Sequence, residues 1–180
     1  MKHHTLATLS ACVVFAAATA DATLARQGDA SVSFTAVGPA GFKIVGTTSE
    51  LNVGEQGGQV AITVPLANLH TGISLRDSHM KEKYLQVGTY PTAQLTVDKG
   101  ALKFPGDAPS DATASGTMTL HGQSKPVGFH YHAAREGGRI HVVGDCRLNM
   151  NDFGVNVPSY LGVTVKPDVS LAVDFFVVDS

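Results

Sequence analysis

Asp168-Val169-Ser170-Leu171-Ala172-Val173-Asp174-Phe175-Phe176-Val177-Val178 alternates from Asp168 to Phe175 and ends in an apolar run. Val169, Leu171, Val173, Phe175 and Val177 fall on one face, and Ser170, Ala172 and Asp174 on the other. A period of two over this length specifies a β-strand with one buried face, and it cannot sit as a helix. The same pattern recurs upstream: Val60, Ile62 and Val64 oppose Ala61 and Thr63, and Met118 and Leu120 oppose Thr117 and Thr119. Candidate strands are Ser31–Val37, Gly41–Thr48, Gly58–Val64, Thr92–Asp98, Ala114–His121, Pro126–Ala133, Arg139–Asn149 and Asp168–Val178, eight in all, with glycines between them. No βα alternation and no fixed-period repeat interrupts them. The chain is therefore read as all-β and antiparallel, and eight such strands are best relieved of exposed edges by closing into a barrel.

Composition agrees with one globular domain. The 180 residues are 43% apolar and 16% charged, too greasy for a disordered tail, and 2 Cys cannot staple a disulfide scaffold. With 13 Lys+Arg against 15 Asp+Glu there is no basic surplus to neutralise a phosphate backbone, so nucleic acid is not an expected partner.

Residues 1–20 read as a signal peptide: Met1-Lys2 is positive, Leu6 to Ala18 is apolar, and Ala18-Thr19-Ala20 has small residues where a signal peptidase cuts. The run is short of the ~20 residues that span a bilayer, so no transmembrane segment is expected after cleavage. The expected location is periplasmic or secreted. A second cleavage point follows Ala25, and Leu9-Ser10-Ala11-Cys12 looks like a lipoprotein lipobox, a minority reading because the apolar run continues past Cys12. Residues 21–30 are expected as a flexible lead-in, and 31–179 as the barrel domain. With Cys12 removed, Cys146 stands alone, on an alternating apolar face with Ile140, Val142, Gly144 and Leu148, where an inert thiol is expected.

Two stretches break the strand pattern. Thr71 to Leu85 carries Ser74-x-x-Asp77, a candidate capping box, then Met80 and Tyr84 at helical spacing with Lys81, Glu82 and Lys83 opposite, so a short helix is expected between the third and fourth strands. Met150 to Pro167 is too long for a hairpin turn and is expected to serve function or to cap an opening.

An eight-stranded barrel is either filled by side chains or hollow enough for one small ligand. The inward candidates Val32, Phe34, Ile44, Ile62, Leu95, Met118, Leu120, Phe129, Val142, Leu171, Val173 and Phe175 are apolar, and Ala36, Gly46, Ala93 and Gly144 are small enough to leave room. From periodicity alone, a packed core and a lipid-sized pocket stand equally open.

Four segments carry a resemblance: Thr71-Gly72-Ile73-Ser74-Leu75-Arg76-Asp77-Ser78-His79-Met80; Tyr90-Pro91; Gly116-Thr117-Met118-Thr119-Leu120-His121-Gly122-Gln123-Ser124-Lys125-Pro126-Val127; and Asp152-Phe153-Gly154-Val155. In this order they resemble the YceI-like family, from about Ser31 to Asp179. The resemblance implies an extended lipocalin-like antiparallel barrel, exported in bacteria, that encloses a long apolar chain; the family is known for binding polyisoprenoids and similar amphiphiles. It favours the pocket over the packed core, with an isoprenoid or fatty-acid-like lipid as partner and no cofactor. The chain departs from the family in having Ser31-Val32-Ser33-Phe34 where a His-Ser/Thr usually opens the first strand, and Lys83-Tyr84-Leu85 where a paired Phe is common.

The ligand-binding set expected from this reading is Phe34, Ile44, Ile62, Leu95, Met118, Leu120, Phe129, Val142, Leu171, Val173 and Phe175 for the tail, with Arg76, Asp77 and His79 at the mouth. There Arg76 could donate to a phosphate or carboxylate, with His79 as a second donor and Asp77 orienting Arg76. The competing role, weighed as the stronger, has Asp77 capping the helix and Arg76 bonding loop carbonyls. His130-x-His132 has metal-ligand spacing if His141 approaches, but its face is the outward one, and no metal is expected. Asp77, Ser78 and His79 have the residue types of a hydrolase, yet sequence neighbours seldom converge as nucleophile, base and orienter, and no Gly-x-Ser-x-Gly elbow is present, so catalysis is not expected. Two further readings stay open: an interaction module of the cell envelope with a filled core, and a homodimer formed through the long loop.

Overall fold

A computed structural model describes residues 23–160 and 163–179. The expected signal peptide, the lipobox-like stretch at Cys12 and the expected cleavage point after Ala20 lie outside the described residues. Among the described residues eleven strands form: β1 (Leu24–Val37), β2 (Lys43–Thr48), β3 (Asn52–Gln56), β4 (Gln59–Pro65), β5 (Thr92–Asp98), β6 (Ser110–Leu120), β7 (Gln123–Glu136), β8 (Arg139–Asn149), β9 (Ser159–Tyr160), β10 (Val163–Thr164) and β11 (Asp168–Asp179). Nine of them make one antiparallel sheet, in the order β2-β1-β11-β8-β7-β6-β5-β4-β3, which curls into a half-barrel; β9 and β10 pair separately. The all-β, lipocalin-like architecture is the expected one.

The main sheet has nine strands, one more than expected. The addition is β3, whose Asn52-Val53-Gly54-Glu55-Gln56 contains a single large apolar side chain and so shows no alternation. Pairing imposes the strand, since Val53 sits opposite Ile62 and Glu55 opposite Val60. The connection is the two-residue turn Gly57-Gly58, with φ of 59° and 76°. That geometry suits a tight hairpin, and His121-Gly122 and Gly137-Gly138 repeat it at the next two hairpins.

Residues 24–30, expected to be flexible, are strand. Leu24 to Arg26 pair with Asp179 to Val177, and after a bulge Ala30 pairs with Phe175. The polar run Arg26-Gln27-Gly28-Asp29 hides this strand from a hydrophobicity reading, because the bulge releases those residues from the alternation. Leu24 is buried. Its N–H donates to Glu55 Oε2 at 3.1 Å, and Lys99 Nζ stands 2.8 Å from the same oxygen. Lys99 holds the Glu55 carboxyl below its usual range, and this knot brings β3 alongside the start of β1 where β2 no longer reaches.

The helix forms between β4 and β5, as α1 (Ser74–Ser78) followed by a π-helical stretch over His79–Tyr84. The capping box does not. Ile73 occupies the N-cap with no side-chain cap, and Ser74 is already the first helical residue. Upstream of α1, His70 and Thr47 exchange backbone hydrogen bonds of 2.8 and 3.0 Å, tying this crossing segment to the free edge of β2.

Candidate functional site

The curled sheet encloses a cavity of about 800 Å³. Each of the expected tail-binding residues lies on its wall: Phe34, Ile44, Ile62, Leu95, Met118, Leu120, Phe129, Val142, Leu171, Val173 and Phe175. The register explains why one period gathers them. Phe34 faces Leu171, Val32 faces Val173, and Phe175 faces Val142 across three consecutive strands, so their side chains stack in rows on the concave face. The room left by Gly46 is used by a neighbour: a Cβ there would lie 2.1 Å from the Phe34 ring, which rests on the bare backbone of β2. Cys146 also lines the wall, and burial, with Asp145 adding to it, pushes its thiol up to about 11, so it stays protonated.

The two ends differ. At the far end Leu24, Ile140 and Val177 close the wall together with Leu102 to Pro105. Tyr131 holds that connection, its hydroxyl accepting from the Lys103 N–H at 2.6 Å. At the helical end residues 150–158 and 165–167 turn in against the wall. Phe153, 2% exposed, and Val155 pack on Met118, Val127 and Leu148, while the Lys166 N–H donates to the Val37 carbonyl at 2.7 Å. Met150, Phe153, Val155 and Val165 of this stretch line the cavity.

Of the three polar residues expected at the mouth, Arg76 and His79 line the cavity and Asp77 does not. Asp77 accepts from both the backbone N–H (2.7 Å) and the hydroxyl of Thr71. Burial raises its pKa, but those two bonds, with Lys81 and Arg76 nearby, outweigh it and hold the carboxyl below its usual range. Arg76 donates from Nε to the Thr71 hydroxyl at 2.7 Å and from Nη2 to the Thr71 carbonyl at 2.8 Å. Asp77 therefore does not orient Arg76 directly. Both grip Thr71, a residue not singled out from the sequence, whose only advance sign was its place at the head of the motif. The competing role is half right: Arg76 bonds a loop carbonyl, but Asp77 fastens the loop instead of capping the helix. A guanidinium held at two of its nitrogens is a fixed cation on the cavity wall.

Residue types of a hydrolase do not converge. The Ser78 hydroxyl donates to Glu82 Oε1 at 2.9 Å, and Asp77 is committed to Thr71. On the outer face, His130 stands 2.8 Å from Asp111, and His132 3.6 Å from the same carboxylate. His141 joins Glu136 (3.1 Å) and Asp174 (2.7 Å) instead of completing a set with them.

These pairs make stability depend on pH. The bond to Asp111 raises His130, and the bond to Asp174 raises His141, above the ordinary value near 6.5. A histidine whose pKa rises on folding contributes fully below its unfolded value and loses that contribution as pH climbs through the folded one. The melting temperature should therefore be higher at pH 6 than at pH 8, and His130→Gln with His141→Gln should flatten the difference. An unchanged slope in the double variant would contradict this assignment.

A model of the YceI-like domain matches residues 16–177. The UPF0312 protein of Pseudomonas savastanoi pv. phaseolicola is 32% identical over 119 residues, 62% of this chain and 60% of that protein. The UPF0312 protein of Pseudomonas fluorescens is likewise 32% identical, over 120 residues, 63% of this chain and 60% of that protein. The match thus spans three fifths of the curated relatives' length. Among solved structures, a polyisoprenoid binding domain from Saccharophagus degradans superposes with a TM-score of 0.72 at 16% identity, covering 89% of this chain and 99% of that one. BcnA of Burkholderia cenocepacia gives 0.65 at 16% identity, covering 83% and 96%. At this identity both establish the shared fold.

Proposed function

The chain belongs to the YceI-like domain family, and from that premise we propose that it is an exported carrier, without catalytic activity, that sequesters an isoprenoid or another long-chain amphiphile. The observation that carries this reading is the apolar cavity of about 800 Å³, a volume within the roughly 300–1,000 Å³ range of small-molecule sites. Burying a methylene contributes about 0.8 kcal/mol, so a tail of ~10 carbons gains ~8 kcal/mol before ordering costs of ~4 kcal/mol or more. Affinity of this kind needs no catalytic group. The polyisoprenoid-binding domain of Saccharophagus degradans shares the fold and supports the ligand class. Arg76, with His79 beside it on the wall, would meet an anionic or hydroxylated head.

Export with a cut after Ala20 fits the sheet better than one after Ala25, which would remove buried Leu24 and its bond to Glu55. The mature protein is expected to begin at Asp21. A start at Arg26 or a blocked Cys12, read by N-terminal sequencing, would reject that cut.

Binding is tested by thermal shift with isoprenoid alcohols of increasing length added to delipidated protein. The melting temperature should climb with each added prenyl unit and then level off once the cavity is full. No shift at any length would favour the filled-core interaction module.

A further inference from the structure

Besides Phe104 at the far end, three large apolar side chains stand on the cavity wall and in solvent at once. Phe42, Ile73 and Leu75 are 57%, 53% and 62% exposed, the highest values among large apolar residues in the described part of the chain, and all three line the cavity. These three, the most exposed of the lining residues, mark where the wall meets solvent most openly. Scattered exposed leucines are ordinary, but three at the opening of one apolar cavity form a surface continuous with its interior.

The charge around that rim is opposite to the charge of the molecule. Lys43 follows Phe42 in the chain and is exposed, Arg76, Lys81 and Lys83 follow Leu75, and Lys166 is held near Phe42 by its bond to Val37, which pairs with Lys43. Residues 42–43, 73–84 and 166 carry five cations against two carboxylates, Asp77 and Glu82, in a chain of formal net charge −2. No helix among the described residues is long and apolar enough to cross a membrane. An apolar tip with lysines beside it in the chain is instead the pattern of a surface that lies on anionic lipid, where hydrophobic insertion and headgroup attraction act together.

We infer that this rim docks on an anionic bilayer. Phe42, Ile73 and Leu75 enter the interfacial layer, Lys43 and Lys83 meet phosphate headgroups, and the cavity mouth faces the acyl region, so that a tail can pass between membrane and cavity without crossing water. Docking stands on the rim alone; the transfer role rests on the lipid-carrier reading.

The test is co-sedimentation of the mature protein with phosphatidylcholine vesicles made with and without phosphatidylglycerol, at low and high salt. Wild type should sediment with the anionic vesicles and be partly released by salt, the remainder being held by apolar insertion. Lys43→Glu with Lys83→Glu should weaken sedimentation roughly tenfold or more, and because neither residue lines the cavity, the lipid extracted from the protein should not change. Ile73→Ser with Leu75→Ser should remove the salt-resistant remainder. Wild type left in the supernatant with anionic vesicles at low salt overturns the inference, as does equal sedimentation of all variants; extractable lipid in such a protein leaves the carrier reading intact and assigns the rim to a protein partner. Vesicle binding by a protein that yields no lipid supports docking and removes the transfer role.

Discussion

Val173→Asp is expected to yield a folded protein that retains no lipid, with affinity at least about 100-fold below wild type. Val173 stands between Val32 on β1 and Gly144 on β8, with its side chain on the cavity wall. It is only half-buried, so in the empty protein water can reach an aspartate there. A bound tail would strip that water away. An unpaired carboxylate loses several kcal/mol when desolvated, and each ~1.4 kcal/mol is tenfold in affinity. Circular dichroism melting distinguishes loss of binding from loss of fold. Undiminished uptake by the folded variant would place the tail elsewhere.

Phe153→Ala should have the largest effect on stability. The ring is almost completely buried against Met118, Val127, Leu148 and Val155, and its carbonyl accepts from His121 Nδ1 at 3.3 Å. Removing a buried phenyl costs about 3–5 kcal/mol, the spread reflecting how far neighbours collapse into the space. For a domain of this size each kcal/mol lowers the melting temperature by about 2–4 °C, so a fall on the order of 10 °C is expected. A much smaller fall would mean that the Met150 to Pro167 cap is a loose cover and not part of the core.

The wall of the cavity was legible in the sequence because a one-sided sheet writes its buried face as a period of two. β5, β8 and β11 begin where the alternation begins, and every apolar residue placed inward from it lines the cavity. What pairing alone creates was not legible. β3 has one large apolar residue and exists because β4 holds it, and the first seven residues of β1 are strand because β11 extends to meet them across a bulge. The mouth was half legible. Arg76 and His79 line the cavity, but adjacency in sequence implied a partnership between Arg76 and Asp77 that the helix does not allow, since consecutive residues point apart. Thr71 takes up both. Phe42, Ile73 and Leu75 lie in turns and a helix start with no periodicity, so nothing in the sequence sets them at the rim.

Periplasmic location and pairing through the long loop are separate proposals, and neither alters the chemistry of the cavity. That chemistry is tested most directly by mass spectrometry of the organic extract of the protein, purified from the cells that make it and then denatured. The account predicts a long-chain isoprenoid or related amphiphile, close to one per molecule, that is missing from Val173→Asp. A clean extract from wild type, with no such species recovered on adding isoprenoids back, would contradict it.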